Sequence, residues 1–132
     1  MKRSPLRKKS NQSISLIQRK LWEECKRIIR ARYKPICYTC GATGLTGANF
    51  QTGHLFPKAS LGAYLKYDLR VLRPQCFACN IHRGGEGALF IEYMRAEEGN
   101  AYVDKIIKDR QVSVKAYDHY VQLLEKYKQI EK

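Results

Sequence analysis

The sequence predicts an α+β domain in which N- and C-terminal helices flank a centre of short strands and loops. Three observations carry that expectation: apolar residues recur at helical spacing near both ends, they alternate over a few residues in the middle, and two Cys-x-x-Cys pairs bracket the middle. At 132 residues the chain suits one core, because chains divide into separate cores only beyond roughly 250 residues. Hydrophobic residues make up 44% and charged residues 28%, which argues against both a wholly disordered chain and a membrane protein. No apolar run approaches the ~20 residues of a bilayer-spanning helix, and the basic start lacks the apolar stretch of a secretory signal. The expectation is an intracellular protein.

Residues 1–12 carry much positive charge and no apolar period, and read as a flexible basic arm. Residues 13–132 then read as one domain. Ile14, Ile17, Leu21, Cys25 and Ile28 follow at spacings of 3, 4, 4 and 3, so a helix is expected over 13–32 with Ser13 as its N-cap. Cys25 falls on that stripe as a small buried hydrophobe. Pro35 ends the helix and opens a core segment over 35–87. Within it, Phe50, Thr52, His54 and Phe56 would share one strand face, with Leu69–Arg73 as the hairpin partner. A short helix is expected from Cys79 to His82, and C-terminal helices over 88–130, at about Ala88–Glu98, Ala101–Lys108 and Val114–Ile130. The last has Val114, Tyr117, Val121, Leu124 and Tyr127 on one stripe, suited to packing on the first helix or the metal core.

Twenty-five Lys and Arg against twelve Asp and Glu give a net charge of +13, and such a surface attracts polyanions. Residues 1–34 hold 12 basic and 2 acidic residues, a net of +10 that leaves +3 for the remainder. Lys20, Lys26, Arg27, Arg30 and Arg32 fall mostly off the apolar stripe, so the first helix should present a basic face to nucleic acid.

Cys37-x-x-Cys40 and Cys76-x-x-Cys79 together make the four-thiolate tetrahedral set that zinc favours. A redox dithiol needs only one pair, and an iron–sulfur cluster also uses four cysteines. The 35 residues between the pairs are enough for a hairpin. A closed four-cysteine site has no open coordination position, which assigns the metal to folding.

Inside that insertion stands Thr52-Gly53-His54, and the second pair runs directly into Asn80. The succession CYTCG, GHLFPKAS and LRPQCFACNIHRGGEG resembles the HNH endonucleases with their treble-clef, ββα-metal centre, and more closely the NinG (Rap) recombination nucleases of lambdoid phages, over about residues 14–130. The resemblance implies metal-dependent DNA cleavage, on branched intermediates such as Holliday junctions and D-loops, in the host cytoplasm if the chain is phage-encoded. His54 is then the general base and Asn80 a ligand to Mg²⁺ or Mn²⁺. Two positions depart from the family pattern. Gly53 stands where many members carry Asp or His as a metal ligand, and Val71 where the central Asn is expected. Asp68 is the candidate compensating carboxylate, with His82 as a second candidate and Gln51 as a residue to orient a metal-bound water.

Lys58, Arg70, Arg73 and Arg83 are expected to meet phosphate oxygens, and Tyr33, Tyr38, Tyr64, Tyr67 and Phe77 either to stack on exposed bases or to pack around the metal. His119, remote from the motif, is expected as a packing or surface residue. A homodimer would suit paired incisions across a four-way junction. Two other readings are a non-catalytic zinc-dependent DNA-binding adaptor and a sequence-selective HNH nicking enzyme.

Overall fold

One long helix organises the packing. The computed structural model describes the backbone of residues 3–130 and the side chains of residues 14–130. Helix α1 spans Arg3–Arg32, so it starts ten residues before the expected Ser13 cap, and residues 3–12 continue the helix where an arm was expected. Arg, Lys, Leu and Gln in that stretch are good helix formers, and Pro5 falls in the first turn, where its missing N–H has no intrahelical partner. Met1, Lys2 and the side chains through Ser13, on which the arm's phosphate contacts depend, lie outside the described residues. Leu21, Cys25, Ile28 and Ile29 are buried along one face of α1.

Strand β1, Gln51–His54, pairs antiparallel with β2, Leu72–Gln75, placing Gly53 opposite Arg73 and His54 opposite Leu72. The hairpin was expected at Leu69–Arg73 and lies three residues later. Leu69–Val71 instead forms a tight turn, because the Asp68 carboxylate accepts the Arg70 backbone N–H at 2.9 Å and caps it. Phe50 and Phe56 fall outside β1. A one-turn helix, α2, Ala63–Lys66, lies between the strands and has no counterpart in the expected elements. After Cys76 the chain makes a wide helical turn over Ala78–His82, closed by the Arg83 N–H on the Ala78 carbonyl at 2.9 Å. Gly84 and Gly85, with φ of +61° and +90°, then swing the chain into α3, Gly87–Glu98.

Helices α4, Asn100–Asp109, and α5, Ala116–Lys128, complete the chain close to their expected positions. The buried stripe of α5 is Tyr120, Leu124 and Tyr127, whereas Val114 and Tyr117 stay exposed. Helix α5 packs on α1, and the Arg27 guanidinium donates to the carbonyls of Tyr127 and Ile130 at 3.1 and 3.3 Å, satisfying the C-terminal end of α5. The main core joins these helices to Leu55, Leu65, Val71, Leu72, Phe90 and Met94. Cys25 lies within it as expected, and burial pushes its thiol up to about 12. A second, small core contains Cys37, Leu45, Cys76 and Cys79, with Phe50 and Ala78 against it. Among the described residues no helix is long and apolar enough to cross a membrane.

Candidate metal centre and the cleft beside it

The hairpin brings the two cysteine pairs together. The sulfurs of Cys37, Cys40, Cys76 and Cys79 all lie within 4.8 Å of one another, and Cys40 Sγ is 3.7 Å from Cys76 Sγ. A tetrahedron with metal–sulfur bonds of ~2.3 Å has edges of ~3.8 Å, so the cluster could hold a metal ion such as zinc. The backbone N–H groups of Cys40 and Cys79 donate to Cys37 Sγ and Cys76 Sγ at 3.5 and 3.4 Å, each pair wrapping its own first sulfur. Burial raises the Cys37 thiol, but the N–H groups of Cys40 and Cys76 outweigh it and bring the thiol down to about 6. The N–H of Ala42 lowers Cys40, yet burial and hydrogen bonding with the three neighbouring sulfurs push it up to about 12. Four sulfurs this close ionise together only around a cation.

Beside the cluster is a cleft of about 490 Å³ lined by Trp22, Thr52, His54, Lys58, Asn80 and Gly85, among others. His54 ends β1, its ring stacked on Trp22 at 5.3 Å and 15°. Its Nε2 lies 3.0 Å from the Lys66 carbonyl, and a carbonyl can only accept, so Nε2 carries the proton and Nδ1 the lone pair. Burial holds the imidazole down at about 4, against the raising effect of the Lys66 carbonyl and with Lys58 and Lys66 also lowering it. The ring is therefore neutral throughout the physiological range. Asn80 rises from the turn after Cys79, and its Nδ2 donates to Gln51 Oε1 at 2.8 Å, leaving Oδ1 as its acceptor. Gln51 thus positions Asn80 from the neighbouring strand. Lys58 Nζ sits 4.7 Å over the Trp22 ring, and burial lowers its pKa from the ordinary lysine value.

A second hollow of about 320 Å³ adjoins the first, sharing Trp22, Thr52 and Asn80 and adding Lys26, Arg30, Phe50 and Gln51. Trp22, Lys26 and Arg30 stand four residues apart on α1, so one helix face walls the groove with an aromatic ring and two cations. Arg30 is anchored there by donating to the Phe50 carbonyl at 2.7 Å, with its guanidinium 5.0 Å from the Phe50 ring centroid. The role of Trp22 was missed from the sequence, although its i, i+4, i+8 alignment with Lys26 and Arg30 was available there.

Several expected site residues are elsewhere. Asp68 lines a separate hollow with Arg32, Arg70 and His119, and its carboxylate holds Arg70 at 2.8 Å. It is a turn cap and ion-pair partner, and does not share the cleft with His54. Arg70 also pairs with Asp109 at 3.0 Å and is committed to the fold. Arg73 is 1% exposed, its guanidinium paired with Glu97 and Glu98 at 3.3 and 3.2 Å and stacked near Tyr33 and Tyr38. No phosphate can reach it, because the guanidinium is buried against Glu97 and Glu98 at the C-terminal end of α3. Arg27 is likewise consumed by Glu24 and the end of α5. Lys20 is exposed on α1 but lines neither hollow of the groove. Arg83 is exposed beside the cluster, with Nη1 donating to Cys79 Sγ at 3.3 Å. His82 packs edge-on to Phe77 at 5.2 Å and lines neither hollow. His119 has the expected packing role, against Tyr64.

The glycine at position 53 has a steric cause. A Cβ there would stand 1.8 Å from Gln75 Oε1, and Gln75 is fully buried with Nε2 donating to Thr39 Oγ1 and the Gly85 carbonyl at 3.0 and 2.9 Å. That amide links the metal knuckle, the hairpin and the loop before α3, and it fills the space a side chain at 53 would need. The two hollows therefore offer a hard divalent cation only neutral side-chain oxygens, from Asn80, Thr52 and Gln51, the last already accepting from Asn80, and no carboxylate among the residues that line them. Those residues do not by themselves build a Mg²⁺ or Mn²⁺ site. No family model, curated protein or solved structure matches the chain.

Proposed function

We propose that the chain is a zinc-built DNA endonuclease of HNH type that acts on branched recombination intermediates such as Holliday junctions and D-loops. The observation that carries this reading is the state of His54: a neutral ring, its Nε2–H committed to the Lys66 carbonyl, in a cleft it shares with Asn80. An antiparallel strand pair followed by a helical turn bearing Asn80 supports the family resemblance, and the net charge of +13 with Lys26, Arg30 and Lys58 along the groove supports a polyanionic substrate.

In the proposed step a water oxygen attacks phosphorus in line as the bond to the 3′ oxygen breaks. The water's proton passes to Nδ1 of His54, and the departing 3′ oxygen takes a proton from solvent, leaving a 5′-phosphate and a 3′-hydroxyl. Lys58 supplies positive charge next to the reacting group. Zinc, on the four thiolates, is structural because no coordination position stays open. No step is assigned to a second cation, whose remaining ligands would have to come from DNA phosphates and water.

The test is a cleavage assay with zinc-loaded protein and Mg²⁺ or Mn²⁺ on matched linear, nicked, forked and four-way DNA. Branched substrates should be nicked, and His54→Ala should slow cleavage by about 10²- to 10⁴-fold with DNA affinity unchanged. A second reading, a zinc-dependent DNA-binding adaptor without catalysis, is favoured by Gly53 and the lack of a carboxylate in the cleft. Tight binding with no cutting under every metal would select it. Cutting of linear duplex at fixed sites would select a sequence-selective nicking enzyme instead.

A further inference from the structure

Two large apolar side chains stand exposed on the turn that carries Asn80: Phe77 at 40% and Ile81 at 53% of their surface. Four residues apart on one helical turn, they flank Asn80 in sequence. The turn is tied to the groove wall, since Asn49 Oδ1 accepts the Phe77 backbone N–H at 2.8 Å and the neighbouring Gly47, Ala48 and Phe50 line the second hollow. His82 braces the Phe77 ring edge-on at 5.2 Å. Nothing in the fold requires hydrocarbon there, because the small core beneath is closed by Cys37, Leu45, Cys76 and Cys79.

We propose that Phe77 and Ile81 form a wedge that enters the base stack of DNA lying in the groove, and that this wedge makes the protein prefer discontinuous or branched DNA. The inference rests on the DNA-binding reading above. Charge complementarity selects the occupant: the turn that carries the pair ends at Arg83, its Asn80 lines the same hollow as Lys26 and Arg30, and the chain has a net charge of +13. Two side chains fall far short of the roughly 800 Å² per partner that a stable protein interface buries, whereas one aromatic and one aliphatic group suffice to unstack a base step. Unstacking is least costly where the stack is already broken, as at a junction, so an apolar wedge converts a sequence-independent contact into a structural preference.

The test uses the full chain loaded with zinc, with 2-aminopurine placed beside the crossover of a four-way junction and at the centre of a matched duplex. Binding should raise 2-aminopurine fluorescence in the junction. The double variant Phe77→Ala/Ile81→Ala should lose that rise and bind the junction about ten-fold more weakly, with unchanged duplex affinity, salt dependence and zinc content. Arg30→Ala should do the converse, flattening the salt dependence while keeping the fluorescence rise. A double variant that matches the unmodified protein in fluorescence and affinity overturns the wedge and leaves DNA binding standing. Self-association of the unmodified protein that the double variant abolishes, with no fluorescence rise, overturns it in favour of a protein interface. Failure of the unmodified protein to bind either DNA overturns the wedge and the DNA reading together.

Discussion

The chain holds two cores that are stabilised in different ways. The larger draws leucines, isoleucines, tyrosines, Phe90 and Met94 from five helices and the hairpin, enough apolar area to stand on burial alone. The smaller has one buried leucine among three buried cysteines, too little hydrocarbon to hold a fold without a cation. The two halves of the cleft divide along this boundary. His54 is fixed by Trp22 and the Lys66 carbonyl, on the larger core's side, while Asn80 is fixed by Gln51 and by the turn that follows Cys79. His54 is therefore held by packing, and Asn80 by Gln51 and a knuckle whose four cysteines could hold a metal ion.

Removing the metal should break this comparison open with the largest effect. Chelation, or Cys79→Ala, withdraws a contribution on the order of 10 kcal/mol from residues 37–87. Hydrogen exchange should show amide protection lost at residues 37–54 and 72–87, with α1 and α5 still protected; uniform loss of protection would mean the larger core also depends on the metal.

Arg73→Ala comes next, at a cost of about 3 kcal/mol in chemical denaturation, because it empties a buried guanidinium site and strips Glu97 and Glu98 of their partner. DNA affinity of the folded variant should not change, whereas Arg30→Ala should reduce it and lower the salt slope by about one unit. An Arg73 variant that folds normally but binds DNA poorly would return Arg73 to the phosphate-binding role its sequence position suggested.

Acid provides a third probe. His54 titrates at about 4 in the fold against ~6.5 when unfolded, so the unfolded chain takes up the proton first. Its contribution leaves stability flat above pH ~6.5, lowers it by up to about 3 kcal/mol as pH falls towards 4, and levels off below that. Denaturation midpoints at pH 7 and pH 4.5 should converge less for the unmodified protein than for His54→Gln, which carries no such loss. Equal pH dependence in both proteins would mean the ring is not buried as described. Cleavage should be insensitive to pH above about 5 on account of this group.

The smallest effect expected is from Gly53→Ala, about 1–3 kcal/mol for crowding Gln75, with a cost less than additive in Gly53→Ala/Gln75→Ala. Full additivity would show that Gln75 is not the obstacle.

Helices α1 and α3 to α5 and the cysteine frame were legible in the sequence, because periodicity and ligand spacing are local signals, while the pairing of His54 with Asn80, which line one cleft, was an expectation from the family resemblance alone. What was not legible came from side-chain caps, ion pairs and propensities that apolar periodicity does not register. The strand shift to Leu72 follows from a cap by Asp68, and that same cap, with the Arg70 pair, withdraws Asp68 from the cleft. Arg73 reads as a surface cation until Tyr33, Tyr38 and the end of α3 close over it. The long α1 overruns Ser13 because residues 3–12 have helix propensity without an apolar stripe, which periodicity cannot detect. Trp22 gave a readable signal, but only as part of a face whose partner wall is formed by the hairpin.

The cluster joins sulfurs from Cys40 and Cys76, 36 positions apart. On a ribosome adding roughly 5–20 residues each second, the second pair is synthesised about 2 to 7 seconds after the first. During that delay the leading dithiol waits without its complement, able to grip an ion by two sulfurs or to be oxidised. Until Cys79 has been added, the first knuckle holds only half of the four-sulfur set.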